Sequence, residues 1–150
     1  MSRRIAIAVL ALALACDSAA PEDLPDLTGR YSLVSHTVKD VTRTPPRVSA
    51  VLVLSRQAVE HGRARGDSWM EMQRQGANGV STGGSWTGGY AHSANGSMVM
   101  SQQGLPFEGD YALRGDTLIT TLVPTVTGLS EQALYHSPRG KLVWVWDDAL

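Results

Sequence analysis

One cysteine and one phenylalanine stand among 150 residues, and each scarcity excludes something. A lone Cys16 rules out an internal disulfide, so no covalent staple holds this fold. Basic and acidic side chains number 13 and 14, which leaves no basic field to gather nucleic acid. No apolar run reaches the ~20 residues that cross a bilayer; the run Ile5–Ala15 ends at Cys16-Asp17. His36, His61, His92 and His136 show no H-x-H or H-x-x-x-H spacing, so neither a metal nor any other cofactor is expected. Helical periodicity is missing after residue 26, and no internal repeat is visible.

What the chain does contain is strand periodicity. In Leu105–Val123, Leu105, Phe107, Gly109, Tyr111 and Leu113 share one face at period two, against Glu108, Asp110 and Arg114 on the other. Arg114-Gly115-Asp116 supplies a turn, after which Leu118, Thr120 and Leu122 resume the alternation. A loop at Arg114-Gly115 pairs Tyr111 with Leu118 and Phe107 with Leu122. A loop at Gly115-Asp116 shifts that pairing by two and leaves the faces matched. Either way this is a hairpin with one wet face and one core face.

The N-terminus has a charged start at Arg3 and Arg4, an apolar stretch and a cysteine, which is the layout of an export signal. The ending Leu12-Ala13-Leu14-Ala15-Cys16 resembles the lipobox of bacterial lipoproteins, in which the cysteine receives the lipid. That resemblance implies a signal peptide at 1–15, cleavage before Cys16 and a membrane anchor through it, in the inner or outer membrane of the cell envelope. An ordinary secretory signal cut near Ala15 or Ala20 is the alternative. Residues 16–26 then form the lipidated cysteine and a polar, proline-broken tether. Residues 27–150 are enough for one core and not two.

Along that domain, Leu27–Ser35 alternates with Tyr31, Leu33 and Ser35 on one face. Thr44-Pro45-Pro46 breaks the chain before Val48–Ser55, a β-branched run for which a helix is the competing assignment. Glu60–Asp67 reads as a basic loop and Ser68–Gln75 as a weak strand around Met70 and Met72. Gly76–Gly89 begins as a flexible loop and enters a strand around Trp86 and Tyr90, where glycine signals a bend in a curled sheet. Asn95-Gly96 is a hairpin signal, and Met98–Gln103 follows it. Gln132–His136 reads as a short strand, and Lys141–Trp146 closes the chain with Leu142, Trp144 and Trp146 on one face. Eight or nine evenly spaced short strands predict an all-β meander closed into a single up-and-down antiparallel barrel.

Gly29-Arg30-Tyr31 after a tether, followed by a meander ending in an aromatic strand, resembles the lipocalin-like, calycin-type domains of small bacterial lipoproteins. Calycin barrels usually carry Gly-x-Trp there, and tyrosine replaces the tryptophan in this chain. The resemblance implies a barrel fold and an envelope location more than a particular activity.

Candidate chemistry is thin. Gly79-Val80-Ser81-Thr82-Gly83 matches G-x-S-x-G, but that motif needs a strand-to-helix turn in a large α/β sheet, and this loop leads into a strand. Glu108 and Asp110 share a face as the charges of any solvated strand do. Arg63 and Arg65 suit lipid headgroups or plain solvation. No catalytic residue is expected, and the domain reads as a non-enzyme; only convergence of His92, Glu108 and Tyr111 in one pocket would revive an enzymatic role.

The aromatic set is more informative. Tyr31, Leu33, Trp86, Tyr90, Phe107, Tyr111 and Trp144 are the expected barrel-lining residues, either around a small apolar ligand or as a solid core. Met70, Met72, Met98 and Met100 fit both readings. The expectation is an envelope lipoprotein that binds a small apolar ligand in or at the barrel mouth, near the glycine-rich 76–84 loop. The alternative is a filled barrel that meets an envelope protein partner.

Overall fold

The computed structural model describes residues 24–148. The expected signal peptide, Cys16 and residues 17–23 of the tether lie outside the described residues. The described residues form nine antiparallel strands and no helix. They are β1 (Gly29–Val38), β2 (Val41–Arg43), β3 (Val48–Glu60), β4 (Arg63–Gln75), β5 (Ser81–Ser93), β6 (Ser97–Gln102), β7 (Leu105–Arg114), β8 (Thr117–Pro124) and β9 (Gly140–Trp146). Neighbours pair in sequence order from β3 to β9, and β1 pairs with both β3 and β9. The result is a closed eight-stranded up-and-down barrel, with β2 added as a short flap along the far half of β1. This layout agrees with a lipocalin-like barrel.

The strongest periodic segment forms as its pattern requires. β7 and β8 pair Arg114 with Thr117 and Leu113 with Leu118, so the two-residue loop is Gly115-Asp116, with Gly115 at φ 61°. Tyr111 therefore faces Thr120. Gly96, at φ 89°, closes the β5–β6 hairpin, where the Asn95 side chain accepts a hydrogen bond from the Ser97 amide. Val48–Ser55 is strand throughout, as its four successive valines and leucines favour.

Three local expectations change. Glu60–Asp67 is a loop only at His61-Gly62, because β3 and β4 pair as far as Glu60 and Arg63. Arg63, Arg65 and Asp67 point outward, while Ala64, Gly66 and Ser68 are buried. Small inward residues hid the alternation, since the crowded interior leaves no room there for large ones. Gln132–His136 forms turns that fold over one end of the barrel, and not a strand. In β1 the register against β9 shifts between Leu33 and Ser35. A one-residue shift exchanges the faces of a strand, so His36, not Ser35, continues the inward row after Tyr31 and Leu33.

Two inward glycines mark where the wall bends most tightly. A Cβ on Gly66 would stand 1.6 Å from the Ser55 carbonyl oxygen, and one on Gly88 would stand 1.8 Å from that of Ser101. Both obstacles are backbone of the adjacent strand, so no rotamer change relieves them. Gly88→Ala is expected to cost 1–3 kcal/mol or more, read as a lowered denaturant midpoint; an unchanged midpoint would show that the wall is looser than described.

Candidate functional site

The expected lining residues do face inward. Tyr31, Leu33, Tyr90, Phe107, Tyr111 and Trp144 are buried, and Trp86 is partly so. They meet Met70, Met72, Met98 and Met100 in one core cluster. Most of their polar atoms are already engaged: the Tyr31 hydroxyl donates to Leu27 O (3.0 Å), the Tyr111 hydroxyl to Ser93 O (2.8 Å), and Trp144 Nε1 to Thr120 Oγ1 (3.2 Å). Leu27, fully buried, stoppers the end where the tether joins. The gap among Met70, Trp86, Met100 and Gln102 measures about 10 Å³, which is room for one water at most.

Appreciable space lies instead at the opposite mouth, around the 76–80 turn. Three adjoining clefts of about 360, 490 and 630 Å³ share Gly76 in their walls. The first holds five cations, Lys39, Arg43, Arg47, Arg74 and Arg139, against one acid, Glu131. The largest runs from Tyr135 and His136 across to Val80 and Thr82.

Local structure explains how these groups gather. Lys39 and Asp40, at φ 48° and 64°, make the two-residue turn that folds β2 back on β1, as a type I′ turn requires. That flap sets Arg43 at the rim, and the Thr44–Arg47 turn sets Arg47 beside it (Arg47 N to Thr44 O, 3.0 Å). Arg74 continues the inward row Ser68, Met70, Met72 of β4. The 125–139 segment caps the mouth: Leu134 is buried in the core, and His136 Nε2 lies 3.1 Å from Thr82 O.

A buried chain of polar contacts ties cap to wall. His36 Nε2 is 2.7 Å from the Arg139 carbonyl oxygen, so that nitrogen carries the proton and donates. Nδ1 is then the bare lone pair that accepts from Arg74 Nη2 at 2.7 Å. A second proton on His36 would set two N–H groups against each other. Burial pushes the His36 pKa down to about 4; the Arg139 carbonyl opposes that shift, and the Arg74, Arg139 and Arg43 charges reinforce it. Arg74 is only 7% exposed. Its guanidinium lies 5.1 Å from the centre of the Tyr135 ring, its Nε has no hydrogen-bond partner, and its pKa is lowered, chiefly by burial. Glu131 binds both Arg139 and Lys39, and those two hydrogen bonds hold its pKa near 2.

The set that would have revived catalysis does not converge. His92 Nδ1 lies 3.2 Å from the Tyr111 hydroxyl in the buried interior, while Glu108 is on the exposed face of β7. Since the Tyr111 proton goes to Ser93 O, His92 Nδ1–H donates to the tyrosine oxygen, and burial drives the His92 pKa to about 4. Ser81 of the G-x-S-x-G stretch is exposed at the start of a strand. No group of three metal-ligating side chains gathers among the described residues.

The cationic mouth was not legible as a site in the sequence. Its five members come from three separate stretches, 39–47, Arg74 and Arg139, and two signals pointed toward it: Arg43 and Arg47 flanking Pro45-Pro46, and Arg74 two residues beyond Met72 on the inward row. No protein-family model, curated protein or solved structure matches this chain.

The buried histidines set a pH dependence. Each has an ordinary pKa of 6.5 and a folded value near 4. The unfolded chain therefore takes up protons first as pH falls through 6.5, and stability declines from there to about pH 4. Each histidine contributes on the order of 3 kcal/mol over that window. Urea unfolding is expected to give a flat free energy from pH 7 to 9 and a steep fall between pH 6.5 and 4; equal stability at pH 7 and 4.5 would contradict the buried neutral state.

Proposed function

We propose that this chain is an exported envelope lipoprotein, anchored through lipid on Cys16, that binds a small molecule with an apolar part at its free mouth. The binding is non-catalytic. One observation carries the reading: three adjoining clefts meet at one mouth of the barrel, while its interior aromatics are packed against each other and a further cleft, of about 430 Å³, lies on the outer face of β3–β5. Those clefts border the glycine-rich 76–80 turn, where the chain bends through Gly79 at φ 78°. They also suit an anchored protein. Gly29 starts β1 at the tether end and Val38 ends it beside the clefts, roughly 30 Å along a ten-residue strand. A membrane at the tether would leave that mouth facing the aqueous side. The competing reading is a barrel that serves only as a scaffold for protein partners, and the packed interior is compatible with it.

Two experiments test the proposal. Native mass spectrometry of the full chain, extracted gently from its own host membrane, is expected to show a bound small molecule released on denaturation. Its retention is expected to fall in Tyr135→Ala, which removes a wall of two clefts. A clean mass, with no stabilisation by apolar probes, overturns ligand binding and favours the scaffold. For the anchor, metabolic labelling with palmitate is expected to mark the wild-type chain and not Cys16→Ser; equal labelling of both, or of neither, refutes lipidation at that residue.

A further inference from the structure

The first cleft carries more positive charge than its surroundings explain. Lys39 and Arg139 both bind Glu131, so one carboxylate serves two cations. Among the described residues no carboxylate pairs with Arg43, Arg47 or Arg74. Yet the chain as a whole has 14 acidic groups for 13 basic ones, so acids to pair with these arginines were not scarce. Burying a guanidinium costs several kcal/mol unless a counter-charge or a full set of hydrogen bonds compensates it. Arg74 is more than nine-tenths buried. It has only a neutral imidazole and the face of Tyr135 as partners, and its Nε is unsatisfied. Arg139 Nε, in the same wall, is unsatisfied too. A concave site lined by one sign of charge also concentrates counter-ions from solution.

The geometry points to an oxyanion site: we propose that Lys39, Arg43, Arg47, Arg74 and Arg139 receive the carboxylate or phosphate head of a small amphiphile, whose apolar body lies against Tyr135 and Val80. The assignment rests on the mouth as the binding site and narrows what binds there. Guanidinium groups suit such a head because their planar forks match two oxygens at once. Arg74 sits at the back of the cleft on β4, a rigid strand, with its orientation set by His36 Nδ1. Arg43 and Arg47 are exposed at the rim and reach the head without unpacking anything. Tyr135 belongs to both the cationic cleft and the largest one, and Val80, 56% exposed, lies on the latter's far wall. A head and a body therefore find adjoining, chemically different places. The bound anionic head would also offset the mutual repulsion of the arginines, so ligand binding is expected to raise thermal stability.

The test uses the full-length chain in a non-ionic detergent and four probes: inorganic phosphate, hexyl phosphate, hexanoate and hexanol. Hexyl phosphate or hexanoate is expected to raise the melting temperature and to bind at least about tenfold more tightly than hexanol. The tighter of the two anions identifies the head. The double variant Arg43→Gln/Arg47→Gln, confined to exposed positions, is expected to weaken that anion about tenfold or more and to flatten its salt dependence. Inorganic phosphate alone is expected to bind weakly and to be lost in the same variant. Arg74→Gln is expected to weaken binding further, and the rim variant keeps the test decisive if this one fails to fold. Hexanol binding as tightly as the anions, with no effect of the double variant, overturns the oxyanion site and leaves mouth binding standing. No binding by any probe also overturns it; the mouth reading falls with it only if the native mass is clean as well.

Discussion

Everything in this molecule depends on β1 being paired along both edges. Its first half lies against β3 and its length against β9, from Tyr31–Trp146 to Thr37–Lys141. Without the β1–β9 ladder the sheet would open, exposing two long edges and the interior rows of Leu, Met and aromatic side chains. Closure makes every wall strand interior to the sheet. It also forces the neighbouring backbones together at Gly66 and Gly88, where no side chain fits. The same ladder contains the shift after Leu33 that turns His36 inward. Closing the barrel and building its mouth are thus one structural event.

Closure with eight strands leaves little interior width, and large side chains fill it. Trp144, Tyr31 and Phe107 occupy the middle, with methionines from β4 and β6 taking up the irregular remainder. Leu27 and Leu134 close the two ends from segments outside the wall. The two closures differ in character. Leu27 seals its end beside a buried Tyr90–His92–Tyr111 cluster. Leu134 arrives on a longer loop, and between that loop, β2 and the 76–80 turn the surface is concave.

Electrostatics sharpen the contrast between the two ends. At the cap, the Arg139 carbonyl, the neutral His36 ring and the Arg74 guanidinium form a directional series in which each donor meets one acceptor. The series orients Arg74 but does not neutralise it. Elsewhere three arginines have ordinary carboxylate partners at the surface: Arg30 with Asp147, Arg56 with Asp26 and Arg65 with Glu60. Such pairs contribute little to stability. A buried cation without a carboxylate partner, set at the back of a cleft lined by four more cations, is the feature on which a role as an anion receptor rests.

By itself the sequence determined the strands and their faces wherever large apolar residues alternate with polar ones. Leu105–Val123, Met98–Gln102 and Lys141–Trp146 fold as their period-two patterns require, and Asn95-Gly96 and Gly115 turn where they stand. Period two is a property of the backbone, so it is readable without knowing a strand's neighbours. The pattern failed where inward residues are small, as at Ala64 and Gly66, and where a shift exchanged the faces, as at His36. Both are consequences of closure, which depends on strands far apart in the chain. The mouth was out of reach for the same reason. Lys39, Arg43, Arg47, Arg74 and Arg139 belong to one place only because β1, β2, β4 and the 125–139 cap meet there. The totals of 14 acidic and 13 basic side chains say nothing of this, because the carboxylates are placed elsewhere in space.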